Sequence, residues 1–104
     1  MSSEEKSFAA LGGEFAEAEA GKLFGKPCFK IGGKAFLCFF QACAVFKLPP
    51  TVREEALRKE DAKLFDPSGK GRPMKEWVQA PFAHSSDWER FAAAAFEYVK
   101  SGKG

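Results

Sequence analysis

Residues 22–48 read KLFGKPCFKIGGKAFLCFFQACAVFKL, and this stretch decides the class of fold. It is rich in apolar and aromatic residues and is punctuated by Gly25, Pro27 and the pair Gly32-Gly33. A Gly-Gly pair between two apolar runs predicts a two-residue hairpin turn, because glycine tolerates the positive φ that such turns require. Gln41-Ala42 predicts a second reversal. We therefore expect an antiparallel meander, with strands near residues 23–24, 28–31, 34–40 and 43–48.

The run 34–40 is apolar in both of its alternation classes. Strict alternation places Ala35, Leu37 and Phe39 on one face of the sheet and Phe36, Cys38 and Phe40 on the other. A strand of this kind must be covered on both faces, and a central position in the sheet explains it. If helices lie on one side only, the second face needs a partner.

Two helices are predicted before and after this meander. Phe8, Leu11, Phe15 and Ala18 recur at helical spacing and predict a helix over residues 3–18, weakened in its middle by Gly12-Gly13. Pro49-Pro50 ends the meander. The capping box Thr51-x-x-Glu54 then predicts a helix over residues 52–59, with Glu54–Arg58 and Glu55–Lys59 as ion pairs along it.

The last third of the chain predicts one more strand and one more helix. MKEWVQ, residues 74–79, alternates as a strand does, and Pro81 stops it. A second capping box, Ser86-x-x-Glu89, precedes the clearest apolar stripe of the sequence, which Gly102 ends. The stripe predicts a core-facing helix and consists of Trp88, Phe91, Ala92, Ala95, Phe96 and Val99.

Taken together, the elements predict one α+β domain over residues 1–104. We expect a bent antiparallel sheet of about four to five strands with flanking helices, in the order α-β-β-β-α-β-α. The length of 104 residues suits one domain, and 12 phenylalanines supply ample material for a core.

Cysteine usage and the N-terminus predict where the protein acts. Cys28, Cys38 and Cys43 are odd in number, lack C-x-x-C spacing and sit in apolar runs, so we expect buried reduced thiols and a cytoplasmic location. The acidic N-terminus shows no signal peptide, and the longest apolar run, residues 35–40, is far too short for a membrane span.

Positive charge is concentrated in the middle of the chain. Residues 20–75 carry twelve Lys or Arg against five acids, and residues 20–50 carry no acid at all. An anion-binding face leaves such a footprint, although lysine on strand edges that discourages edge-to-edge pairing leaves the same one.

The sequence contains no recognisable catalytic motif. We therefore expect that the protein is not an enzyme and that it binds no cofactor or metal. His84 is the single histidine and has no evident triad partner. The paired carboxylates, Glu54-Glu55 and Glu60-Asp61, lie among Arg and Lys in charged helical surroundings. The stretch FDPSGKGRPMKEWV, residues 65–78, fails the P-loop pattern, because Gly69-Lys70 is followed by glycine and the segment leads into a strand.

Nucleic-acid binding is the sharper hypothesis for the basic segment. Lysine and arginine side chains on β-loops bind phosphates electrostatically, while neighbouring aromatic side chains contact the bases or the grooves. The alternatives are a protein-interaction module or homodimer that covers the second apolar face of the strand 34–40, and a small anionic ligand bound in a cleft. The candidate nucleic-acid contacts are Lys22, Lys26, Lys30, Lys34, Lys70, Arg72 and Lys75.

Four stretches carry a family resemblance: GKLFGKPCFKIGGKAFLCFF, VFKLPPTVREEAL, LFDPSGKGRPMKEWVQ and the helix that begins at SSDWERF. Across residues 18–100 the chain resembles the TfoX N-terminal-domain-like or MmcQ/YjbR-like family of small bacterial proteins. The resemblance implies a strongly bent antiparallel sheet flanked by helices. It also implies DNA binding through wing-like hairpins, which map onto Gly32-Gly33 and the Lys70–Arg72 loop. The family's regulator acts in competence and has a second domain, which this sequence is expected to lack.

Overall fold

The computed structural model describes residues 2–67, 69–71 and 73–102, which form an α+β fold. Within those residues, no helix combines the length and the apolar character that crossing a bilayer requires. In chain order the elements are α1 (Ser3–Gly13), β1 (Glu19–Leu23), β2 (Lys26–Ile31), β3 (Lys34–Phe40), β4 (Cys43–Lys47), α2 (Pro50–Leu57), β5 (Lys63–Phe65), β6 (Met74–Pro81), a 3-10 helix (Phe82–Asp87) and α3 (Trp88–Lys100).

All six strands belong to one antiparallel sheet with the order β1-β2-β3-β4-β6-β5. The α+β class is confirmed, but the predicted four to five strands were too few. The four strands predicted before α2 are all present, although the predicted order counted three, and the three-residue β5 was missed because a run that short has no recognisable alternation. The three α-helices contribute to a core on one face of the sheet, which we call the helix face, and the opposite face is the distal face.

The helix-face core confirms the predicted stripe of α3, since all six of its residues are buried. Phe36 of β3 meets Phe96 with ring centroids 5.4 Å apart, and Phe46 of β4 meets Phe91 at 5.7 Å. Burying a phenylalanine side chain contributes about 1.5–3 kcal/mol. This contact between α3 and the central strands therefore contributes several kcal/mol to the fold's stability.

The alternation predicted for β3 is wrong at one position. Phe29 of β2 pairs with Leu37 and Lys30 pairs with Ala35, so Phe36 is an extra residue in β3, a β-bulge. Beyond a bulge the alternation shifts by one residue. Phe36 and Leu37 consequently both enter the helix-face core, while Ala35, Cys38 and Phe40 belong to the distal face.

The distal face has its own small core, made by the sheet itself. Cys28, Cys38, Val45, Phe65 and Trp77 are all buried there. The Phe40 and Phe65 rings lie 5.1 Å apart although β3 and β5 are three strand positions apart, roughly 14 Å in a flat sheet. The sheet therefore curls toward its distal face. This curl buries Cys38 on the second apolar face of β3 and leaves Ala35 and Phe40 half-buried.

The predicted helix boundaries and caps were partly wrong. α1 ends at Gly13, not at residue 18, and its N-cap is Ser2, whose Oγ accepts the Glu5 N–H at 3.0 Å. α2 begins at Pro50 after Pro49, and no side chain caps it, so the Thr51 box is not formed. α3 begins at Trp88 after the 3-10 helix, so the Ser86 box is not formed either.

The ion pairs predicted along α2 are replaced by pairs to the last residue of the 3-10 helix and to α3. Glu55 binds Arg90, and Lys59 Nζ lies 3.2 Å from the Asp87 carboxylate. Glu55 and Lys59 therefore connect α2 and the residues just after it to the start of α3, instead of stabilising α2 alone. These pairs are solvent-exposed, and such pairs contribute little to stability.

Both predicted reversals are confirmed, and the second is strained. Gly32-Gly33 forms the β2–β3 turn with φ of 58° and 82°, and Gln41-Ala42 forms the β3–β4 turn with φ of 50° and 63°. Alanine adopts positive φ only at a cost of about 1 kcal/mol or more, because its Cβ approaches the neighbouring carbonyl oxygen. The tight turn imposes this conformation on Ala42.

We expect Ala42→Gly to raise the free energy of unfolding by about 1 kcal/mol, because glycine takes this backbone conformation without strain. Chemical denaturation followed by circular dichroism measures the change. Ala35→Gly is the matched control: the same substitution inside β3 should destabilise the protein. Equal effects of the two substitutions would contradict the strain at the turn.

Candidate nucleic-acid interface

Lys26 and Lys30 lie together on the distal face. Each is two residues from the buried Cys28 along β2, and alternate residues of a strand share a face. Lys26 Nζ lies 5.6 Å from the centroid of the Phe40 ring, which is a cation–π contact. Lys30 lies across Gly21 of β1, where a Cβ would stand 3.2 Å from its Cε.

Two further lysines share this face, and the sequence analysis did not name them. Lys47 pairs with Trp77, and Lys63 pairs with Gln79, whose other neighbour is Val45. Because directly paired residues point to the same side, both lysines join the face of Trp77 and Val45. Glu19, which pairs with Lys30, is exposed on β1 and belongs to the same face. Only the pairing of the strands reveals these residues, because the distribution of charge along the sequence does not show which residues share a face.

Lys22 and Lys34 do not join this group. Lys22 pairs with Pro27 and lines a cleft between β1 and α1, on the helix face. Lys34 pairs with Ile31 at the opposite end of β2 from Lys26, roughly 17 Å away at about 3.3 Å per residue. Lys22 remains beside the β1–β2 hairpin tip, but Lys34 lies beside the C-terminal end of α3.

The Gly-rich loop after β5 is organised around an acid. The Asp66 carboxylate accepts the Gly69 N–H at 3.0 Å and the Gly71 N–H at 2.9 Å. These amides therefore hold the loop together and are not presented to a phosphate, which agrees with the rejection of a P-loop. Lys70 and Lys75 are exposed, and Arg72 lies outside the described residues.

The tip of the β1–β2 hairpin carries an exposed aromatic ring. Phe24 is 60% exposed and has a φ of 51°, and Gly25 follows it with a φ of 75°. These are the signs of a type I′ turn, in which asparagine followed by glycine is the favoured pair. Lys22 and Lys26 stand on either side of this tip. The sequence predicted Phe24 as a strand residue, because its neighbours are apolar, and not as an exposed ring at a turn.

A cavity of about 750 Å³ opens between the loop after β5 and the end of the sheet at the β3–β4 turn. Phe40, Lys63 and Gln79 of the distal face line it, together with Asp66 and Pro67 of the loop. The cavity therefore lies beside two of the clustered lysines, since Lys26 rests over Phe40. It gives the basic face a concave site.

The cysteines are placed only partly as predicted. Cys28 and Cys38 are buried and pair directly across β2 and β3, whereas Cys43 is partly exposed. Burial is the main cause that raises the pKa of the Cys28 thiol and raises the pKa of Cys38 to about 11. Both buried thiols are therefore protonated and unreactive at neutral pH.

The residues considered for catalysis have structural contacts. His84 Nε2 lies 2.7 Å from the Glu60 carbonyl oxygen and donates a hydrogen bond that fixes the 3-10 helix to the end of the α2 segment. In the described part of the chain, no three His, Cys, Asp or Glu side chains are grouped so as to hold a metal ion.

Comparison with known proteins gives no match. No protein-family model matches the chain, and no curated protein and no solved structure matches it either.

Proposed function

We propose that this chain is a non-enzymatic nucleic-acid-binding module that uses the β1–β2 hairpin and the lysines of the distal face. The observation that carries the proposal is Phe24, an exposed aromatic ring held in left-handed backbone between Lys22 and Lys26. A turn selected for stability alone would place asparagine or glycine there. Phenylalanine costs about 1–2 kcal/mol in this conformation, and exposed ring surface adds no packing.

The charge around the ring fits a polyanion. Lys26, Lys30, Lys47 and Lys63 share the distal face, opposed there by Glu19. Four phosphate contacts give a salt dependence with a slope of about −3 in a plot of log K against log salt concentration for a single strand. Stacking of a base on an exposed aromatic ring contributes about 1–3 kcal/mol and tolerates any sequence.

The proposal agrees with the wing-like hairpins that the resemblance to the TfoX and YjbR-like families implies, but it selects a different hairpin. Gly32-Gly33 lies at the opposite end of β2 from Phe24 and carries no ring. The three cysteines are unpaired, which supports the proposal that the protein acts in a reducing bacterial cytoplasm.

Phe24→Asn separates binding from stability and tests the proposal. We expect the variant to bind a fluorescein-labelled single-stranded oligonucleotide about tenfold or more weakly in an anisotropy titration at low salt, because stacking is lost. The same variant should be more stable by about 1 kcal/mol, because asparagine tolerates the left-handed turn. A loss of binding that accompanies a gain in stability is not a folding defect.

Lys26→Met and Lys6→Met are the matched charge variants. Lys26 lies on the distal face, whereas Lys6 is exposed on α1. Lys26→Met should reduce the salt slope by about 0.7 for a single strand, and Lys6→Met should leave it unchanged. No binding by the unaltered protein at low salt, or equal effects of the two lysine variants, would refute the proposed function.

A further inference from the structure

The cavity beside the basic face has the size and walls of a small-molecule site. Its volume of about 750 Å³ lies within the range of roughly 300–1,000 Å³ that ligand sites occupy. Phe40, Leu64, Pro67 and Pro73 supply apolar surface, and Lys63 and Gln79 supply polar groups. Walls that combine apolar surface with hydrogen-bonding groups suit a planar ligand that carries a hydrogen-bonding edge.

Gln79 is the feature of this cavity that packing does not explain. It is 5% exposed and lies on a central row of the sheet between Val45 and Lys63. Among the described residues its side chain makes one hydrogen bond, from Nε2 to the Cys43 Sγ at 3.5 Å. Sulfur is a weak acceptor, and no described residue donates to the amide oxygen, which is open to the cavity that Gln79 lines. An amide oxygen in this position is free to accept a hydrogen bond from a ligand in the cavity.

We propose that this cavity binds one nucleobase together with its phosphate. An exocyclic amino or ring N–H group of the base donates to the Gln79 oxygen, and the base lies against Phe40 and the prolines of the loop. The phosphate meets Lys63, which lines the cavity, and Lys26, which rests over the Phe40 ring. The base belongs either to an unpaired stretch of a nucleic acid or to a free nucleotide. The first source rests on the proposed function, and the second does not.

The test compares ligands on the full chain. Isothermal titration is carried out with AMP, CMP, GMP and UMP, with a mixed-sequence single-stranded 12-mer, and with the duplex of that 12-mer. Binding should shift the Gln79 side-chain amide signal in a 15N–1H spectrum. Gln79→Met, which keeps the length of the side chain, should weaken binding about tenfold. Lys63→Met, at an exposed position, should weaken binding even if Gln79→Met unfolds, and Lys6→Met serves as the control.

The outcomes are distinguishable. If the single strand binds more tightly than the duplex and Gln79→Met loses this binding, the bound base belongs to an unpaired strand. If mononucleotides bind in a Gln79-dependent way and oligonucleotides do not bind, the ligand is a free nucleotide. This result overturns the proposed function alone. Oligonucleotide binding that depends on Phe24 but not on Gln79, with no shift of the Gln79 signal, overturns this inference alone. Absence of all binding overturns both.

Discussion

Gly12→Ala is expected to lower the free energy of unfolding by about 3 kcal/mol, at the upper end of the range for overpacked cores. A Cβ at this position would stand 2.0 Å from Cε2 of Phe29 and 2.2 Å from its Cζ. The ring has little room to withdraw, because the Phe8 ring packs against it with centroids 5.4 Å apart. Either α1 or β2 must move. Thermal unfolding should show a midpoint lower by about 10–20 °C.

Gly13→Ala is the matched control for this prediction. It lies one residue further along α1, and a Cβ there meets nothing within 4 Å. Alanine is a better helix former than glycine by about 1 kcal/mol, so this variant should be unchanged or slightly more stable. Phe29→Leu should recover part of the loss when it is combined with Gly12→Ala. Equal stability of the two alanine variants would show that the Phe29 ring yields freely.

Gly12 illustrates what local patterns predict and what they miss. The pair Gly12-Gly13 was read as a weak point in the middle of a helix, because propensity is a property of one segment. In the structure α1 ends at Gly13, and Gly12 is the place where a ring from β2 approaches the helix backbone. That approach depends on the packing of two distant segments. By contrast, the stripe of α3 was predicted correctly because its periodicity lies within one helix.

Strand pairing explains the other differences. The bulge at Phe36 exists only as a relation between β2 and β3, and neither run shows it alone. For the candidate interface, the charge count identified Lys26 and Lys30, whereas Lys47 and Lys63 joined them only when the pairing of β4, β5 and β6 was known. Gln79 had the polarity of an ordinary exposed strand residue, and its burial depends on the curl of the sheet.

The curl of the sheet also places two thiols where burial disfavours their ionisation. Burial is the largest cause that raises the pKa of Cys38, from an ordinary 9.0 to about 11, and the neighbouring Cys28 thiol is the next. The pKa of Cys28 is raised as well, again mainly by burial. An unfolded chain releases these protons at lower pH than the folded chain does. Ionisation in alkaline solution therefore favours the unfolded state.

Between pH 9 and pH 11 the protein should lose about 2–3 kcal/mol of unfolding free energy through Cys38, since two pKa units correspond to about 2.7 kcal/mol. The contribution is fully present below pH 9, because the thiol is then protonated in both states.

Urea denaturation under reducing conditions, measured at several pH values, gives the curve of unfolding free energy against pH. Cys38→Ala should flatten it, and Cys43→Ala, which removes a thiol outside the buried pair, is the comparison variant. The hydrogen bond to Glu76 raises the pKa of Tyr98 and adds a fall in the same direction that all variants share, so the difference between the two alanine variants isolates Cys38. Identical curves for both variants would show that the distal core admits water.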